Sequence, residues 1–344
     1  MPKRLLITGV GGFIGSHCVD YFLRNTDWEI IGIDSFRHKG DLGRLENINF
    51  DERFKIYYHD LNLPIQDQLY NRLTEARFDD RGNVLRNKIN YIVNMASDSA
   101  VERSTQDPTY VLRNNYDLAI NMLEFARKVK PDNFLQISTD EVYGEAYTDS
   151  GHHEWDVILP SNPYAASKAA QEAVAISYWR TYNVPVVISN TMNIIGEWQD
   201  PEKFLPKIIQ KIYLGEEMPI YADSPDKIGS RVYIDVKNKA DALLHLLKKP
   251  VSLYSQGSKR PDRWNICGFD EFNNLELAQM VAKIMNKELK YKLIPSESAR
   301  PGYDRRYLLD GSKLKQSGWK PPFTFIQTLE RIVKYTMSNS HWVL

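Results

Sequence analysis

The chain has 344 residues, of which 42% are hydrophobic, and its 44 lysines and arginines balance 44 aspartates and glutamates. This length allows two domains with a sizeable core, and the zero net charge gives no reason to expect nucleic acid or an anionic membrane as a partner. The two cysteines, Cys18 and Cys267, are far apart and have no metal-ligand spacing, which favours a reducing, cytoplasmic location. The absence of any run near the roughly 20 apolar residues of a membrane span argues against a membrane protein.

Short apolar runs alternate with helical segments along the first 190 residues. The predicted strands are 4–8, 29–34, 54–58, 89–95, 133–138 and 184–189. The predicted helices are 13–24, 111–129 (which Pro131 stops) and 164–182. The alternation predicts an α/β fold, with a Rossmann-type doubly wound parallel sheet covered by helices on both faces.

After about residue 190 the pattern changes, because proline and glycine become frequent and the segments shorten. We predict one domain over 1–190 and a smaller C-terminal α/β substrate domain over 191–344. The segment from about 232 to 247 is expected to return to the first domain, and 257–262 is expected to be an exposed loop.

A glycine-rich turn lies between the first strand and the first helix. Gly9, Gly12 and Gly15 have the spacing that lets a backbone approach a pyrophosphate at a helix N-terminus. Such a triplet alone is equally compatible with a turn that binds nothing. Asp34 ends the second strand about twenty residues later, where a carboxylate accepts both ribose hydroxyls of a dinucleotide. Asp34 would repel a 2′-phosphate, so NAD is favoured over NADP.

Basic residues close to Asp34 leave NADP open as the alternative cofactor, since Arg37, His38 and Lys39 follow it directly. Asp60 and Leu61 end the third strand, where they are placed to meet the adenine. Read alone, Asp60 is more often a helix cap or a turn residue than a ligand contact.

Tyr164 and Lys168 lie one helical turn apart on the same face. A lysine ammonium stabilises a nearby phenolate, so Tyr164 is a candidate base near neutral pH. The alternative is a surface tyrosine and lysine on an amphipathic helix. The position of the pair after a glycine-rich turn and a serine-bearing fifth strand favours the catalytic interpretation.

The fifth strand ends on a polar run that contains two adjacent carboxyls. Ser138 and Thr139 are followed by Asp140 and Glu141 at the edge where such sheets carry their chemistry. Two neighbouring carboxyls in different surroundings can have separated pKa values, which supplies one acid and one base. The alternative is a solvated acidic turn.

These residues resemble the extended short-chain dehydrogenase/reductase superfamily, and within it the nucleotide-sugar 4,6-dehydratases that act on dTDP-glucose or UDP-glucose. The resemblance covers nearly the whole chain. Its most specific segments are Ser-Thr-Asp-Glu-Val-Tyr-Gly at 138–144, Pro-Tyr-Ala-Ala-Ser-Lys at 163–168 and Arg-Pro-Gly-Tyr-Asp-Arg-Arg-Tyr at 300–307. The resemblance implies an NAD-binding first domain and a second domain that binds the nucleotide sugar.

The resemblance also implies a mechanism. Tyr164 takes the proton of the sugar 4-hydroxyl while NAD takes hydride from carbon 4. Glu141 then removes the carbon-5 proton, Asp140 protonates the hydroxyl that leaves carbon 6, and the hydride returns to carbon 6. The product is a 4-keto-6-deoxy sugar nucleotide of the kind used in deoxysugar biosynthesis, such as that of rhamnose.

The resemblance assigns site residues one at a time. The catalytic residues are Thr139, Asp140, Glu141, Tyr164 and Lys168. The cofactor-binding residues are Gly9, Gly12, Phe13, Ile14, Gly15, Asp34, Ser35, Phe36, Asp60, Leu61, Met95, Ala96, Ser97, Asn114, Ser138, Tyr164 and Lys168. The substrate-binding residues are Ser99, Thr139, Asn193, Lys203, Phe204, Pro219, Ile220, Tyr221, Arg231, Asn265, Arg300, Tyr303 and Asp304.

The chain departs from the family pattern at several of these positions. Asn94 stands where histidine is common, and Gly229 takes the place of a phosphate-binding arginine, with Arg231 two residues later. Tyr303 replaces the more usual histidine of the Arg-Pro-Gly segment. The Glu-Trp-Gln run at 197–199 is slightly nearer the plant UDP-glucose enzymes, and the base of the nucleotide stays open.

Three other functions are compatible with the same fold: a 4-epimerase or UDP-glucuronate decarboxylase, a non-catalytic NAD-binding sensor, and an interaction protein. The Asp140–Glu141 pair argues against the first, and the intact Tyr164 and Lys168 argue against the others. The resemblance implies a homodimer formed through the helices at 111–129 and 164–182. The histidines have no metal-ligand grouping, so no metal is expected.

Overall fold

The computed structural model describes residues 2–295 and 304–342. The chain divides into two compact units. Unit 1 consists of Met1–Ser138, Pro163–Ser189 and Leu243–Trp264, and unit 2 consists of Thr139–Asn162, Asn190–Ala242 and Asn265–Leu344. This division differs from the predicted one in two places. Residues 139–162 group with unit 2, and the segment that returns to unit 1 is 243–264 rather than about 232–247.

Strands and α-helices alternate along the described residues. The strands are β1 (Arg4–Thr8), β2 (Glu29–Asp34), β3 (Phe54–Tyr58), β4 (Arg77–Phe78), β5 (Val84–Leu85), β6 (Tyr91–Asn94), β7 (Asn133–Ile137), β8 (Val186–Thr191), β9 (Asn193–Ile195), β10 (Met218–Tyr221), β11 (Ser230–Asp235), β12 (Asp262–Ile266), β13 (Glu271–Asn273), β14 (Tyr291–Ile294) and β15 (Arg306–Tyr307). The helices are α1 (Phe13–Asn25), α2 (Asp67–Leu73), α3 (Val101–Gln106), α4 (Pro108–Val129), α5 (Pro163–Tyr182), α6 (Phe204–Leu214), α7 (Val236–Leu247), α8 (Asn274–Met285), α9 (Ser312–Gln316) and α10 (Phe325–Ser338). In this part of the chain, no helix combines the length and apolar character that a membrane span needs.

A seven-stranded sheet with the order β12-β8-β7-β6-β1-β2-β3 forms the centre of unit 1. The neighbours from β8 through to β3 run parallel. The chain leaves β1 towards β2 and β3 and then crosses to the other side of β1 at β6, which makes the β1–β6 boundary a topological switch point. The predicted α/β class and doubly wound parallel sheet are confirmed.

The strands of this sheet are apolar because both faces are covered. Leu5, Leu6 and Ile7 of β1 are fully buried. Helix α4 begins three residues before its predicted start, since the Asp107 side chain accepts from the Tyr110 backbone N–H at 3.0 Å and Pro108 suits a first helical position. Helices α4 and α5 pack against each other, and both contribute to the core of unit 1.

Strand β12, which completes the seven strands of the central sheet, was not predicted from the sequence. Its second residue is Arg263, and this charge interrupts the apolar run by which a buried strand is recognised in a sequence. Arg263 is nevertheless buried, because its guanidinium lies 2.6 Å from the buried Glu172 carboxylate of α5. The β4–β5 hairpin and the short helices α2 and α3 were also missed, since segments of two to seven residues have little periodicity to detect.

Unit 2 contains two smaller sheets. In one, β11 pairs in parallel with β9 and β15 and antiparallel with β13. In the other, β10 and β14 pair in parallel. Helices α6, α8 and α10 share an apolar core with these strands, which includes Ile209, Val281 and Leu329. Unit 2 therefore has an apolar core of its own.

Candidate active site

The turn after β1 has the close packing that a dinucleotide site requires. Gly9 has a φ of +76°, in the region that favours glycine, and Gly12 precedes the first residue of α1. A Cβ on Gly15 would lie 2.0 Å from the Gly9 carbonyl oxygen, so only glycine fits there. Phe13 and Ile14 form the first turn of α1, whose N-terminal N–H groups have no side-chain cap and suit a phosphate.

Asp34 is held rigidly at the end of β2. Its two carboxylate oxygens accept from the backbone N–H groups of Gly11 and Phe36, each at 2.7 Å. Phe36, which follows Ser35, adopts a φ of +50°, and its ring would lie 2.6 Å from a Cβ on Gly11. A carboxylate has further lone pairs, so this fixed Asp34 can still accept from ribose hydroxyls. The residues therefore fit an NAD adenosine.

Arg37, which the sequence left as a possible partner of a 2′-phosphate, has acceptors within unit 1. Its guanidinium lies 3.0 Å from Asp60 Oδ1 and donates to Asn114 Oδ1 at 3.1 Å. Asn62, which sequence reasoning missed, donates to the same Asn114 oxygen at 2.9 Å. Leu61 is buried beside Asp60. These contacts gather two of the predicted cofactor residues, Asp60 and Asn114, into one polar cluster.

The end of β6 is fixed to β1 by one hydroxyl. Thr8 Oγ1 donates to Asn94 Oδ1 and accepts from the backbone N–H groups of Met95 and Ala96, all at 3.0 Å. A Cβ on Gly9 would lie 3.1 Å from Ala96 Cα, so the two strand ends are in close approach at the switch point. Sequence reasoning missed the roles of Thr8 and Asn94, because an apolar strand gives no signal for them.

Two further predicted residues follow β6. Ser97 is half-buried and its hydroxyl approaches the Asp98 carbonyl at 3.5 Å, whereas Ser99 is exposed. The buried Asp98 between them pairs with Arg103 at 2.8 Å, which anchors this loop.

Lys168 is a buried cation with two oxygen acceptors. Its Nζ donates to the Ile137 carbonyl at 2.7 Å and to Gln171 Oε1 at 2.6 Å. Burial lowers the pKa of the Lys168 ammonium to about 8, against an opposing effect of the Glu172 charge. Tyr164 lies one turn earlier on α5, and its backbone carbonyl accepts from the Ser167 hydroxyl at 2.7 Å.

Ser138 ends the main segment of unit 1, directly after β7. Its hydroxyl is buried and has no hydrogen-bond partner within residues 2–295 and 304–342. A buried hydroxyl without a partner is costly unless a ligand completes it. This observation fits the predicted contact between Ser138 and the cofactor.

Asp140 and Glu141 occupy different environments on a short 3₁₀ turn of unit 2, Asp140–Tyr143. Asp140 is buried, and its Oδ1 accepts from Thr139 Oγ1 at 2.9 Å and from the Glu141 backbone N–H at 3.0 Å. Its Oδ2 has no partner among the described residues. Burial, reinforced by the Glu141 charge, raises the pKa of the Asp140 carboxyl to about 7.

Glu141 is less buried than Asp140 and has a neutral donor. Asn162 Nδ2 donates to Glu141 Oε2 at 3.0 Å, while Asn190 Nδ2 donates to the Thr139 carbonyl at 3.0 Å. Sequence reasoning named neither asparagine, although Asn162 stands two residues before Tyr164. The turn thus presents a buried carboxyl with a raised pKa and a less buried carboxyl side by side.

The predicted substrate residues of unit 2 lie on several elements. Asn193 opens β9, Lys203 immediately precedes α6, and Phe204 is its first residue. Pro219, Ile220 and Tyr221 lie in β10, where the Ile220 side chain is fully buried in the unit 2 core. Asn265 is also fully buried, and its Nδ2 donates to the carbonyls of His152 and Asp310 at 2.8 and 3.1 Å. Because its side chain is fully buried in the core, Ile220 can contact a ligand only through its backbone.

Arg231 binds backbone rather than standing free for a phosphate. Its guanidinium donates to the carbonyl oxygens of Ser230, Asp304 and Arg305 and lies 4.6 Å from the centre of the Tyr307 ring. Asp304 accepts from the Tyr307 hydroxyl at 2.7 Å and also from Ser161. Arg300 and Tyr303 lie outside the described residues.

Known proteins are similar in sequence to nearly the whole of this chain. Residues 6–332 match the family model described as GDP-mannose 4,6-dehydratase. The chain is 30% identical over 364 residues to the dTDP-glucose 4,6-dehydratase of Salmonella typhimurium, covering 99% of this chain and 94% of that protein. It is 31% identical over 348 residues to a trifunctional UDP-glucose 4,6-dehydratase, epimerase and reductase of Arabidopsis thaliana, covering 99% of this chain and 48% of that protein.

A solved structure has the same fold over nearly the whole chain. The dTDP-glucose 4,6-dehydratase of Streptomyces venezuelae, crystallised with NAD, aligns with a TM-score of 0.84 and 27% identity. The alignment covers 99% of this chain and 98% of that one.

Proposed function

The chain belongs to the GDP-mannose 4,6-dehydratase family of extended short-chain dehydrogenases and is an NAD-dependent hydro-lyase, and on this premise we propose that it converts dTDP-glucose or UDP-glucose to the 4-keto-6-deoxy sugar nucleotide. The observation that carries the proposal is the pair of adjacent carboxyls in unlike environments. Asp140 is buried with a raised pKa, and Glu141 accepts from a neutral amide. Elimination of water needs one acid and one base in addition to the base that takes the 4-hydroxyl proton, and a 4-epimerase does not need this additional pair.

The first step assigned to the chain is removal of the 4-hydroxyl proton by Tyr164. Lys168 assists because its ammonium favours the phenolate over the phenol. NAD, when bound, supplies the chemistry of hydride acceptance from carbon 4 and return to carbon 6. Asp34 and the Gly9–Gly15 turn hold its adenosine and pyrophosphate in this proposal, and Ser138 lies where its unpaired hydroxyl suits a ligand.

Elimination is assigned to the unit 2 turn. Oxidation at carbon 4 acidifies the proton on carbon 5, and Glu141 accepts that proton and returns it to carbon 5 when carbon 6 is reduced. Asp140 donates its own proton to the hydroxyl that leaves carbon 6 as water. The Asp140 Oδ2, which has no partner in the described part of unit 2, supports this role as donor to a ligand. Thr139, whose hydroxyl donates to Asp140, is placed to orient the acid.

We also propose that two copies associate through α4 and α5. Leu112 and Tyr116 of α4 lie one turn apart and are 36% and 41% exposed, and Tyr182 at the end of α5 is 49% exposed. Light scattering is expected to give a mass near twice the 39.9 kDa of one chain. A monomer would remove this proposal without affecting the chemistry. The cytoplasmic location likewise stays a proposal, supported by two buried cysteines that are not joined in a disulfide.

Mass spectrometry tests the reaction. The protein is incubated separately with dTDP-glucose and UDP-glucose, and a product lighter by one water is expected from at least one of them. The nucleotide that reacts faster identifies the natural base. A product of unchanged mass would indicate a 4-epimerase, and loss of carbon dioxide from UDP-glucuronate would indicate a decarboxylase. Tight NAD binding with no turnover of any of these would favour the sensor.

A further inference from the structure

Helix α5 buries an unusual number of polar side chains on the face that it turns to the sheet. Ser167, Lys168, Gln171 and Glu172 are all buried. Lys168 has a role in the proposed function and Glu172 pairs with Arg263, but Gln171 has no role in it. A fully buried carboxamide costs free energy unless it is hydrogen-bonded, so its partners indicate its purpose.

Both ends of the Gln171 carboxamide are bonded. Its Oε1 accepts from Lys168 Nζ at 2.6 Å, and its Nε2 donates to the Asn115 backbone carbonyl of α4 at 2.6 Å. A backbone carbonyl can only accept, so Asn115 fixes which end of the carboxamide carries the N–H groups. The oxygen is therefore kept directed at the lysine ammonium.

The same carboxamide belongs to a longer chain of buried hydrogen bonds in unit 1. Gln136 of β7 donates to Gln171 Oε1 at 3.2 Å and accepts from Asn94 Nδ2 at 2.9 Å. Asn94 accepts in turn from Thr8, whose hydroxyl binds the backbone at the end of β6. The network connects the lysine to the switch point where the cofactor residues lie.

We propose that Gln171 is a positioning residue, which holds the Lys168 ammonium in place and keeps it charged for its action on Tyr164. This proposal rests on the proposed function for the role of Lys168. An oriented carbonyl oxygen favours the ammonium over the free amine. Because the carboxamide is neutral, it stabilises the cation without adding a negative charge that would oppose formation of the Tyr164 phenolate.

The test is a titration of Lys168 in the full chain with isotope-labelled lysine, followed by NMR of the ammonium group and assigned with Lys168→Met. Gln171→Met removes the acceptor at similar volume, and the Lys168 midpoint is expected to fall by about one pH unit. Gln171→Glu restores an acceptor and adds charge, so the midpoint is expected to rise above that of the parent protein. The Glu variant carries the test if the Met variant does not fold.

Asn133→Leu is the matched control. Asn133 is equally buried in unit 1 and donates to the Leu246 carbonyl at 3.3 Å, outside the Lys168 network, so its replacement is expected to lower the melting temperature and leave the Lys168 midpoint in place. Equal midpoints in the parent and either Gln171 variant would overturn the proposal. The titration needs no turnover, so its result is separate from a failure of the dehydratase assignment.

The kinetic consequence is measured alongside. With an active protein, the high-pH limb of the rate profile is expected to move to lower pH in Gln171→Met by the same amount as the NMR midpoint. In Gln171→Glu the high-pH limb is expected to move to higher pH together with the Lys168 midpoint, and the rate at low pH is expected to fall because the added negative charge opposes the Tyr164 phenolate. A uniform fall in rate with no movement of the limb in Gln171→Met would mean a structural role alone and would also overturn the proposal.

Discussion

Lys168 in unit 1 and Asp140 in unit 2 are both buried ionisable groups, but they differ in their hydrogen-bond partners. Lys168 has two oxygen acceptors at 2.6 and 2.7 Å, whereas Asp140 keeps an oxygen with no partner in the described chain. Burial moves the pKa of each group towards neutrality, to about 8 for the lysine and about 7 for the aspartate. Near pH 7 the lysine is therefore mostly charged and the aspartate is about half protonated.

In the proposed reaction Lys168 keeps its proton and its charge, whereas Asp140 donates its proton. The two acceptors of Lys168 are the Ile137 carbonyl and the Gln171 side chain, which both belong to the protein. The ammonium can therefore act on a neighbouring group while it keeps its proton. Asp140 has a carboxylate beside it, which adds to the effect of burial and favours the protonated form. Unit 1 thus holds a buried cation that is mostly charged near pH 7, and unit 2 holds a carboxyl that can donate a proton.

Loss of the cation is expected to have the largest effect. Lys168→Met should lower the rate by about 10²–10⁴-fold, since Tyr164 loses the charge that stabilises its phenolate. Water loss and substrate-dependent reduction of the cofactor should fall together, as measured by mass and by the absorbance of the reduced cofactor. Lys248→Met, at an exposed lysine after α7, is the control and should react like the parent. A variant that reduces the cofactor at the parent rate would contradict the role of Lys168.

Changes to the carboxyl pair should separate the two steps. Asp140→Asn and Glu141→Gln are each expected to slow water loss by about 10²–10³-fold and to leave reduction of the cofactor nearly intact. Exchange of the carbon-5 hydrogen with deuterated solvent should persist in Asp140→Asn and disappear in Glu141→Gln. Full dehydratase activity in Glu141→Gln would show that the base is another residue.

Stability should depend on pH in opposite ways at the two groups. The Asp140 pKa is raised from 3.8, so the folded state gains from protonation at low pH, and that gain is lost as pH rises through about 7. Relative to Asp140→Asn, the free energy of unfolding of the parent should therefore fall between pH 4 and pH 8, by up to about 4 kcal/mol.

For Lys168 the unfolded state binds more protons between pH 8 and 10.5, so stability rises across that window. Relative to Lys168→Met, the parent should gain up to about 3 kcal/mol there. Urea unfolding of the parent and both variants at pH 4, 8 and 10 measures the two windows. Parallel curves for the parent and a variant would contradict the burial argument for that group.

The smallest effect is expected from the donor to Glu141. Asn162→Ala should slow water loss about tenfold, because Glu141 loses the amide at 3.0 Å that orients it. Asn162→Ser keeps a donor at the position and should recover part of that loss. Equal rates in the Ala variant and the parent, determined from initial velocities, would remove Asn162 from the site.

The parts of this account that depend on local pattern could be predicted from sequence. The apolar run of β1, the glycine turn, Asp34 at the end of β2 and the Tyr164–Lys168 spacing are all short-range signals. The family resemblance added the roles of Asp140 and Glu141. Helix α4 was placed within three residues, because its cap at Asp107 stands just before the periodic run.

What depends on tertiary contact could not be predicted. Strand β12 was not predicted because it contains the charged Arg263, whose pairing with Glu172 on α5 is visible only in the structure. In the sequence Gln171 is one polar residue on a predicted helix, and its hydrogen bonds with Lys168 and Asn115 are visible only in the structure. The partners of Arg231 could not be identified from the sequence, since two of the three carbonyls that it binds, those of Asp304 and Arg305, lie more than seventy residues away.

The most direct test of the central account follows one hydrogen through the reaction. The nucleotide-linked glucose that reacts is prepared with deuterium at carbon 4, and the product is examined by NMR and mass spectrometry. The account predicts a product lighter by one water that carries the deuterium at carbon 6. Deuterium still at carbon 4 of a product with unchanged mass would contradict it and would identify the chain as an epimerase.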